Sequence, residues 1–197
     1  MVIVIFDVGN VVIKADHSIT HQILVDYGVP QNRAKTFFEN YEYKEFGRGN
    51  LDEETFYRVL IGKYLKFQLP YESIVKAHDK HLYGVDKGVV GLLSKLPRGN
   101  LAFSTNTNVW QTRREQELID LRKYSPRIFR SHEIHLLKTD NGCFQYLVSQ
   151  LKTSPSDTLF VDDKLENILE ARKHGLQTHH FKSVGQLAAE LKRRNLV

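Results

Sequence analysis

Cysteine is nearly absent from this 197-residue chain: Cys143 stands alone, so no internal disulfide is possible and nothing calls for an oxidising compartment. Proline is scarce, with five residues, and repeats and low-complexity tracts are missing, which sets aside fibrous, disordered and solenoid classes. No apolar run approaches the ~20 residues that span a bilayer. The run Val2 to Phe6 is short and lacks the basic flank and cleavage site of a signal peptide, so a cytoplasmic protein with no membrane partner is expected. What is present is an ordinary globular composition, 41% hydrophobic and 26% charged, enough for one sizeable core with a small appendage. The formal charge is +5, with basic residues gathered at Arg113-Arg114, from Arg122-Lys123 to Arg130, and at Lys192-Arg193-Arg194. Such a surface attracts anions. No zinc-finger spacing or aromatic ribonucleoprotein motif accompanies it, so these clusters read as solvated helix faces and no nucleic-acid partner is expected.

Three short apolar runs are bounded by polar or turn-forming residues: Val2 to Phe6, Leu101 to Ser104, and Thr158 to Val161. They suit buried strands of a parallel sheet. Helical patterns lie between them. Ile168 to His174 reads as a helix ended by Gly175, and Gly88 to Leu96 as one ended near Pro97. Cys143 opens a further helical pattern through Phe144, Leu147, Val148 and Leu151, where it serves packing. Strands alternating with helices predict an α/β fold, a Rossmann-like parallel sheet. From about Asp16 to Tyr83 the texture changes: Tyr and Phe recur at helix-like spacing and no buried strand is evident. This stretch is expected to be an inserted set of helices, one of them starting at Asn50 with Asp52, Glu53 and Glu54 in its first turn.

In open α/β sheets ligands bind beyond the carboxyl ends of the strands. The residues found there are Asp7-Val8-Gly9-Asn10, Thr105-Asn106-Thr107-Asn108 and Asp162-Asp163. Acids gathered from separate strand ends repel each other unless a cation sits among them. An oxygen-only donor set suits Mg2+, which keeps several waters and shares phosphate oxygens with its substrate. Asp7 is then placed to offer one oxygen to the metal and the other to phosphorus as nucleophile. Thr105, through its hydroxyl, and Lys138, as a cation, are candidates to hold the remaining phosphate oxygens.

These residues resemble the motifs of the haloacid dehalogenase superfamily, and within it the small phosphatases with a helical cap. Val2-Ile3-Val4-Ile5-Phe6-Asp7-Val8-Gly9-Asn10-Val11 is similar to the first motif. Leu101 to Asn106 resembles the second, with Thr105 as motif residue and Ser104 as the rival register. Lys138 resembles the third, with Lys152 a poorer candidate because it lies near the third strand. Phe160-Val161-Asp162-Asp163-Lys164-Leu165-Glu166-Asn167 resembles the fourth, and Glu45-Phe46-Gly47-Arg48-Gly49-Asn50-Leu51-Asp52 a loop of helical caps. The resemblance implies a Rossmann-like core at 1–14 and 86–197 and an inserted cap at 15–85. It implies Mg2+ as cofactor, a small phosphorylated metabolite as substrate, and an aspartyl-phosphate on Asp7. Metal ligands would be Asp7, the backbone carbonyl of Gly9, Asp163 and, in support, Asp162. Thr105, Asn106 and Lys138 would bind phosphate, Asn167 would orient the acids, and Glu45 and Arg48 would help select the substrate.

Two departures stand out. Most such phosphatases carry a second Asp two residues after the nucleophile as general acid and base, and here that position is Gly9; losing such a group typically removes about 10²–10⁴-fold in rate. Glycine at this position also resembles the sugar-1-phosphatase branch, which makes a sugar phosphate one candidate substrate. After Lys138, Thr139-Asp140-Asn141-Gly142 replaces the usual Lys-Pro. The competing readings are a non-catalytic binding protein, in which Gly9 marks lost turnover, and a dehalogenase, against which the acid pair Asp162-Asp163 argues. The pair His132 and His135, lacking a third ligand nearby in sequence, reads as surface or supporting residues, and His179-His180 follows an expected fourth strand.

Overall fold

The structure, a computed structural model, describes residues 2–197. In chain order its strands are β1 (Ile3–Phe6), β2 (Ile13–Ala15), β3 (Leu82–Val85), β4 (Leu101–Thr105), β5 (Ile128–Arg130), β6 (Thr158–Asp162) and β7 (Gln177–His180). Five of them form a wholly parallel sheet in the order β5-β4-β1-β6-β7, and β2 pairs antiparallel with β3 in a separate two-stranded ribbon. The three apolar runs of the sequence are thus the three central strands, buried along their whole length. Burial on both faces is why they read as continuous rather than alternating hydrophobics.

Helices of the insert between β2 and β3 are α1 (His17–Asp26), α2 (Gln31–Ala34), α3 (Tyr41–Gly47), α4 (Glu53–Val59) and α5 (Tyr71–Asp79). Those that follow are α6 (Lys87–Leu93), α7 (Val109–Leu118), α8 (Ser131–Ile134), α9 (Cys143–Leu151), α10 (Leu165–Lys173) and α11 (Val184–Arg193). The residues on one sheet face, Val4, Phe6, Phe103 and Val161, pack with Val89, Leu93, Leu187 and Leu191 of α6 and α11. Those on the other, Ile3, Ile5, Ala102 and Phe160, pack with Phe144, Leu147 and Leu151 of α9 and Ile168 of α10. A third cluster belongs to the insert: Leu24, Phe37, Phe46, Phe56, Leu60 and Ile74, joined by Trp110 from α7. Trp110 is fully buried, and its Nε1 donates to Glu53 Oε2 at 2.7 Å. It pegs the insert onto the sheet domain.

Several boundaries differ from the sequence reading. The helix expected to begin at Asn50 is capped by Asp52, whose side chain accepts from the Thr55 amide. His179 and His180 belong to β7 rather than following it, and α10 begins three residues earlier than its apolar pattern. Leu82 and Tyr83, assigned to the helical stretch, are strand. Arg130 is not a solvated cation: it lies buried in β5 with Nη2 2.8 Å from Glu115 Oε1. The strand was missed because basic residues surround its three-residue core. No helix among the described residues is long and apolar enough to cross a membrane.

Candidate active site

Parallel pairing brings the polar clusters together. The Asp7 amide donates to the Val161 carbonyl at 2.8 Å, which sets Asp7 level with Asp162 on the neighbouring strand. Alternation then points Asp7 and Asp162 toward the α9 side of the sheet. Each of Asp7, Asp162 and Asp163 offers an oxygen, and the three oxygens lie within 4.8 Å of one another. Lys138 reaches them from the loop ahead of α9. Its Nζ is 2.5 Å from Asp7 Oδ1 and 2.8 Å from Asp162 Oδ2, and lies 5.5 Å from the Phe160 ring centroid.

The loop bearing Lys138 is held without the expected proline. Asn106 Oδ1 accepts from the Lys138 amide at 2.9 Å, and Asp140 Oδ2 accepts from the Leu137 amide at 2.8 Å. Arg48, at the end of α3, grips the same Asp140 in a bidentate fork at 2.8 and 2.7 Å, while its Nη1 donates to Glu45. The insert therefore braces the loop that carries the lysine. Asp140 does the work of the missing proline by closing the turn with hydrogen bonds instead of a fixed φ.

The acids are not equivalent. Asp162 is fully buried and saturated: it accepts from Lys138, from the Lys164 amide at 2.8 Å and from Asn167 Nδ2 at 3.1 and 3.0 Å. Asp163 is half-buried, and its Oδ1 has no hydrogen-bond partner among the described residues. A buried carboxylate oxygen left unpaired is costly unless a cation meets it. Burial pushes the Asp7 carboxyl up to about 7; Lys138 opposes this, while Asp162 and Asp163 add to it. Burial and Asp162 likewise raise Asp163, with Lys164 and Lys138 opposing. For Lys138, burial pulls down but Asp7 and Asp162 outweigh it, so the ammonium is held above its ordinary range. Two carboxyls that burial makes costly to ionise, one with an unpartnered oxygen, fit a small divalent cation such as magnesium.

Asp7, Lys138 and Asp163 line a cavity of about 120 Å³, which Thr105 and Gly9 also border. It adjoins a second cavity of about 280 Å³ under the insert, walled by Phe38, Tyr43, Lys44, Arg48, Leu137 and Thr139. His17, Asn106, Thr107, Gln111 and Lys164 border both.

Of the sequence-derived candidates, Asp7, Gly9, Thr105, Asn106, Lys138 and Asp163 all border the first cavity, and Asp162 sits directly behind it. Thr105 borders it and Ser104, one residue earlier and buried in the sheet, does not. Arg48 borders the second cavity, whereas Glu45 binds Arg48 and Asn50. His132 and His135 sit at the contact between insert and core; His135 Nδ1 meets the Arg48 carbonyl at 2.8 Å. Sequence reasoning missed His17, Gln111 and His81 at the first cavity. They come from the start of α1, from α7 and from the approach to β3, so only packing shows that they face it.

No protein-family model matches the chain. Among proteins of known activity it is similar to a sesquiterpene phosphatase of Aspergillus oryzae, 28% identical and aligned over 98% of this chain and 95% of that one. It is also similar to a D-ribitol-5-phosphate phosphatase of Bacteroides thetaiotaomicron, 23% identical over 89% of each. Among solved structures, a magnesium complex of a HAD (haloacid dehalogenase) family enzyme from Bacteroides thetaiotaomicron superposes with a TM-score of 0.85 at 19% identity, over 98% of both chains. A HAD-like family hydrolase of Porphyromonas gingivalis gives 0.81 at 18%, again over 98% of both. The wholly parallel sheet with its helical insert gives this chain the same fold as these haloacid dehalogenase family enzymes.

Proposed function

We propose that this chain is a magnesium-dependent phosphatase of a small phosphorylated metabolite, working through an aspartyl-phosphate on Asp7. One observation carries the reading: a buried ammonium, Lys138, bridges Asp7 and Asp162 beside an unpartnered oxygen of Asp163 at the carboxyl edge of the sheet. Phosphatase is also the named activity of two relatives that align along most of their own length.

Asp7, Asp163 and the Gly9 carbonyl would hold the ion, whose charge would neutralise the phosphoryl oxygens and keep Asp7 ionised. Lys138 occupies Asp7 Oδ1, leaving Oδ2 to attack phosphorus. The lysine cation and the Thr105 hydroxyl bind the equatorial oxygens where charge spreads in the transition state. Asp162, fixed by Asn167 and the Lys164 amide, keeps Lys138 aimed. Residues 15–85 act as a cap whose Phe38, Tyr43 and Arg48 contact the alcohol part of the substrate. Its mixed apolar and cationic wall suits a phosphorylated small alcohol, sugar phosphates included.

The test is phosphate release from p-nitrophenyl phosphate with and without magnesium, for wild type and Asp7→Asn. Wild-type turnover that needs the metal and falls by at least about 10³-fold in the variant is expected. Turnover surviving in Asp7→Asn, or none with any of a panel of sugar, polyol and prenyl phosphates, would sink the proposal.

A further inference from the structure

A phosphoryl transfer to Asp7 leaves two protons to be moved: one onto the departing ester oxygen, one off the water that later releases phosphate. Gly9 has no side chain to move them. The scissile oxygen has to lie where the first cavity, holding the phosphate, opens into the second, holding the alcohol. Five side chains border both: His17, Asn106, Thr107, Gln111 and Lys164. Asn106, Thr107 and Gln111 do not exchange protons near neutral pH, and an ammonium such as Lys164 has no lone pair to accept one.

Other titratable groups on the first cavity are already engaged. Lys138 is shared by Asp7 and Asp162, and Glu115 is paired with buried Arg130. His81 turns Nδ1 to the His78 carbonyl and Nε2 to Gln111, which donates its amide at 3.1 Å. Asp163 is committed as a metal ligand under the proposed function.

We infer that His17 is the proton-transfer residue of this site, taking the place that Gly9 leaves empty. The inference rests on the phosphatase reading. His17 is the first residue of α1, and its ring lies flat against Phe38, with centroids 3.8 Å apart and planes 9° apart. That stack fixes the ring plane and leaves both nitrogens without a hydrogen-bond partner among the described residues. His81 meets it edge-on at 5.4 Å. Charged and titratable neighbours are Asp16 and His21 on its own helix, Lys164 from the start of α10, and His81 from the approach to β3. The ring is exposed apart from the face on Phe38; that partial desolvation, with Lys164 and His21, lowers His17 against the opposing Asp16, so the unliganded ring is neutral with a lone pair free.

The steps balance. A bound phosphate dianion favours the imidazolium. As the bond from Asp7 to phosphorus forms and the bond to the ester oxygen breaks, that oxygen takes the imidazolium proton and leaves as the alcohol. Water then attacks phosphorus and gives its proton to the neutral imidazole. The bond to Asp7 breaks, the carboxylate returns, phosphate departs, and His17 is again protonated.

Rapid mixing of His17→Gln and His17→Ala with p-nitrophenyl phosphate and magnesium separates the two halves, because nitrophenolate leaves without a proton. A burst of one nitrophenolate per site is expected, then a steady rate about 10²–10³-fold below wild type, with a lowered KM and phosphate trapped on Asp7. Added imidazole should restore the steady rate of His17→Ala. Loss of burst and turnover together, absence of imidazole rescue, or wild-type steady rates in both variants would overturn the inference while leaving the phosphatase reading intact. A wild type that releases no nitrophenolate overturns both.

Discussion

Asp7 is expensive to ionise where it sits. Its folded pKa lies near 7, above the ordinary 3.8, so the metal-free native state binds a proton more tightly than the unfolded chain does. Stability from this group is complete below about pH 4 and is lost as pH rises through 7. Asp7→Asn removes the loss. In chelator at pH 8 the variant should therefore be more stable than wild type by on the order of 2 kcal/mol, the gap closing as pH falls to 4. Urea unfolding across that pH range checks it; a variant less stable at pH 8 would show that the Lys138 pair outweighs burial. Gly9 makes the opposite point. A Cβ built there meets nothing within 4 Å, so the site tolerates a side chain and needs only the backbone carbonyl. Gly9→Ala should keep its unfolding free energy within about 1 kcal/mol of wild type and retain magnesium affinity by calorimetry.

At the scale of elements, the decisive feature is how the insert grips the phosphate-side loop. Arg48 forks onto Asp140, Ser131 Oγ donates to the Gly47 carbonyl at 2.6 Å, and the chain turns at Gly49 with φ +73°. A Cβ on Gly49 would lie 2.2 Å from the His132 carbonyl oxygen. Both the left-handed backbone and the contact demand glycine. Gly49→Ala is expected to cost about 2 kcal/mol or more and, by loosening the brace on Lys138, to raise the KM for phosphate esters. An unchanged urea midpoint would mean that the α3 and α8 ends move apart freely. Trp110 supplies the second anchor, sitting among Phe46, Phe56 and Tyr71 on the underside of the insert.

For the whole molecule, the carboxylate cluster couples metal binding to folding. Magnesium at one hundred times its Kd should stabilise wild type by about 2.7 kcal/mol. Asp163→Ala should lose that increment while folding normally without metal, because among the described residues Asp163 makes no ion pair and one of its oxygens is unpartnered. Differential scanning calorimetry with and without magnesium measures both, and an intact magnesium shift in the variant would reassign the ligand. Much of the basic surface is internally matched: Arg113 pairs with Glu53, Arg114 with Glu117, and Arg193 and Arg194 with Glu190. Lys44 and Lys164, by contrast, carry exposed charge at the second cavity, a field that attracts anions.

Local chemistry in the sequence determined the three central strands, since only a strand covered on both faces reads as an unbroken apolar run. The acids that end two of them and the hydroxyl that ends the third followed from the rule that parallel strands put their carboxyl ends at one edge. The helical nature of the insert was legible in its aromatic spacing. Short or polar strands were not: β2, β3 and β5 owe their pairing to neighbours distant in the chain, and β7, expected just ahead of His179, runs on through His180. The same holds for His17, Gln111, Trp110 and the Arg48–Asp140 fork, each of which acquires its place through a contact across 30 residues or more. Periodicity describes what a segment buries; only packing decides which remote segment it buries against, and that second choice shaped the cavity next to Asp7.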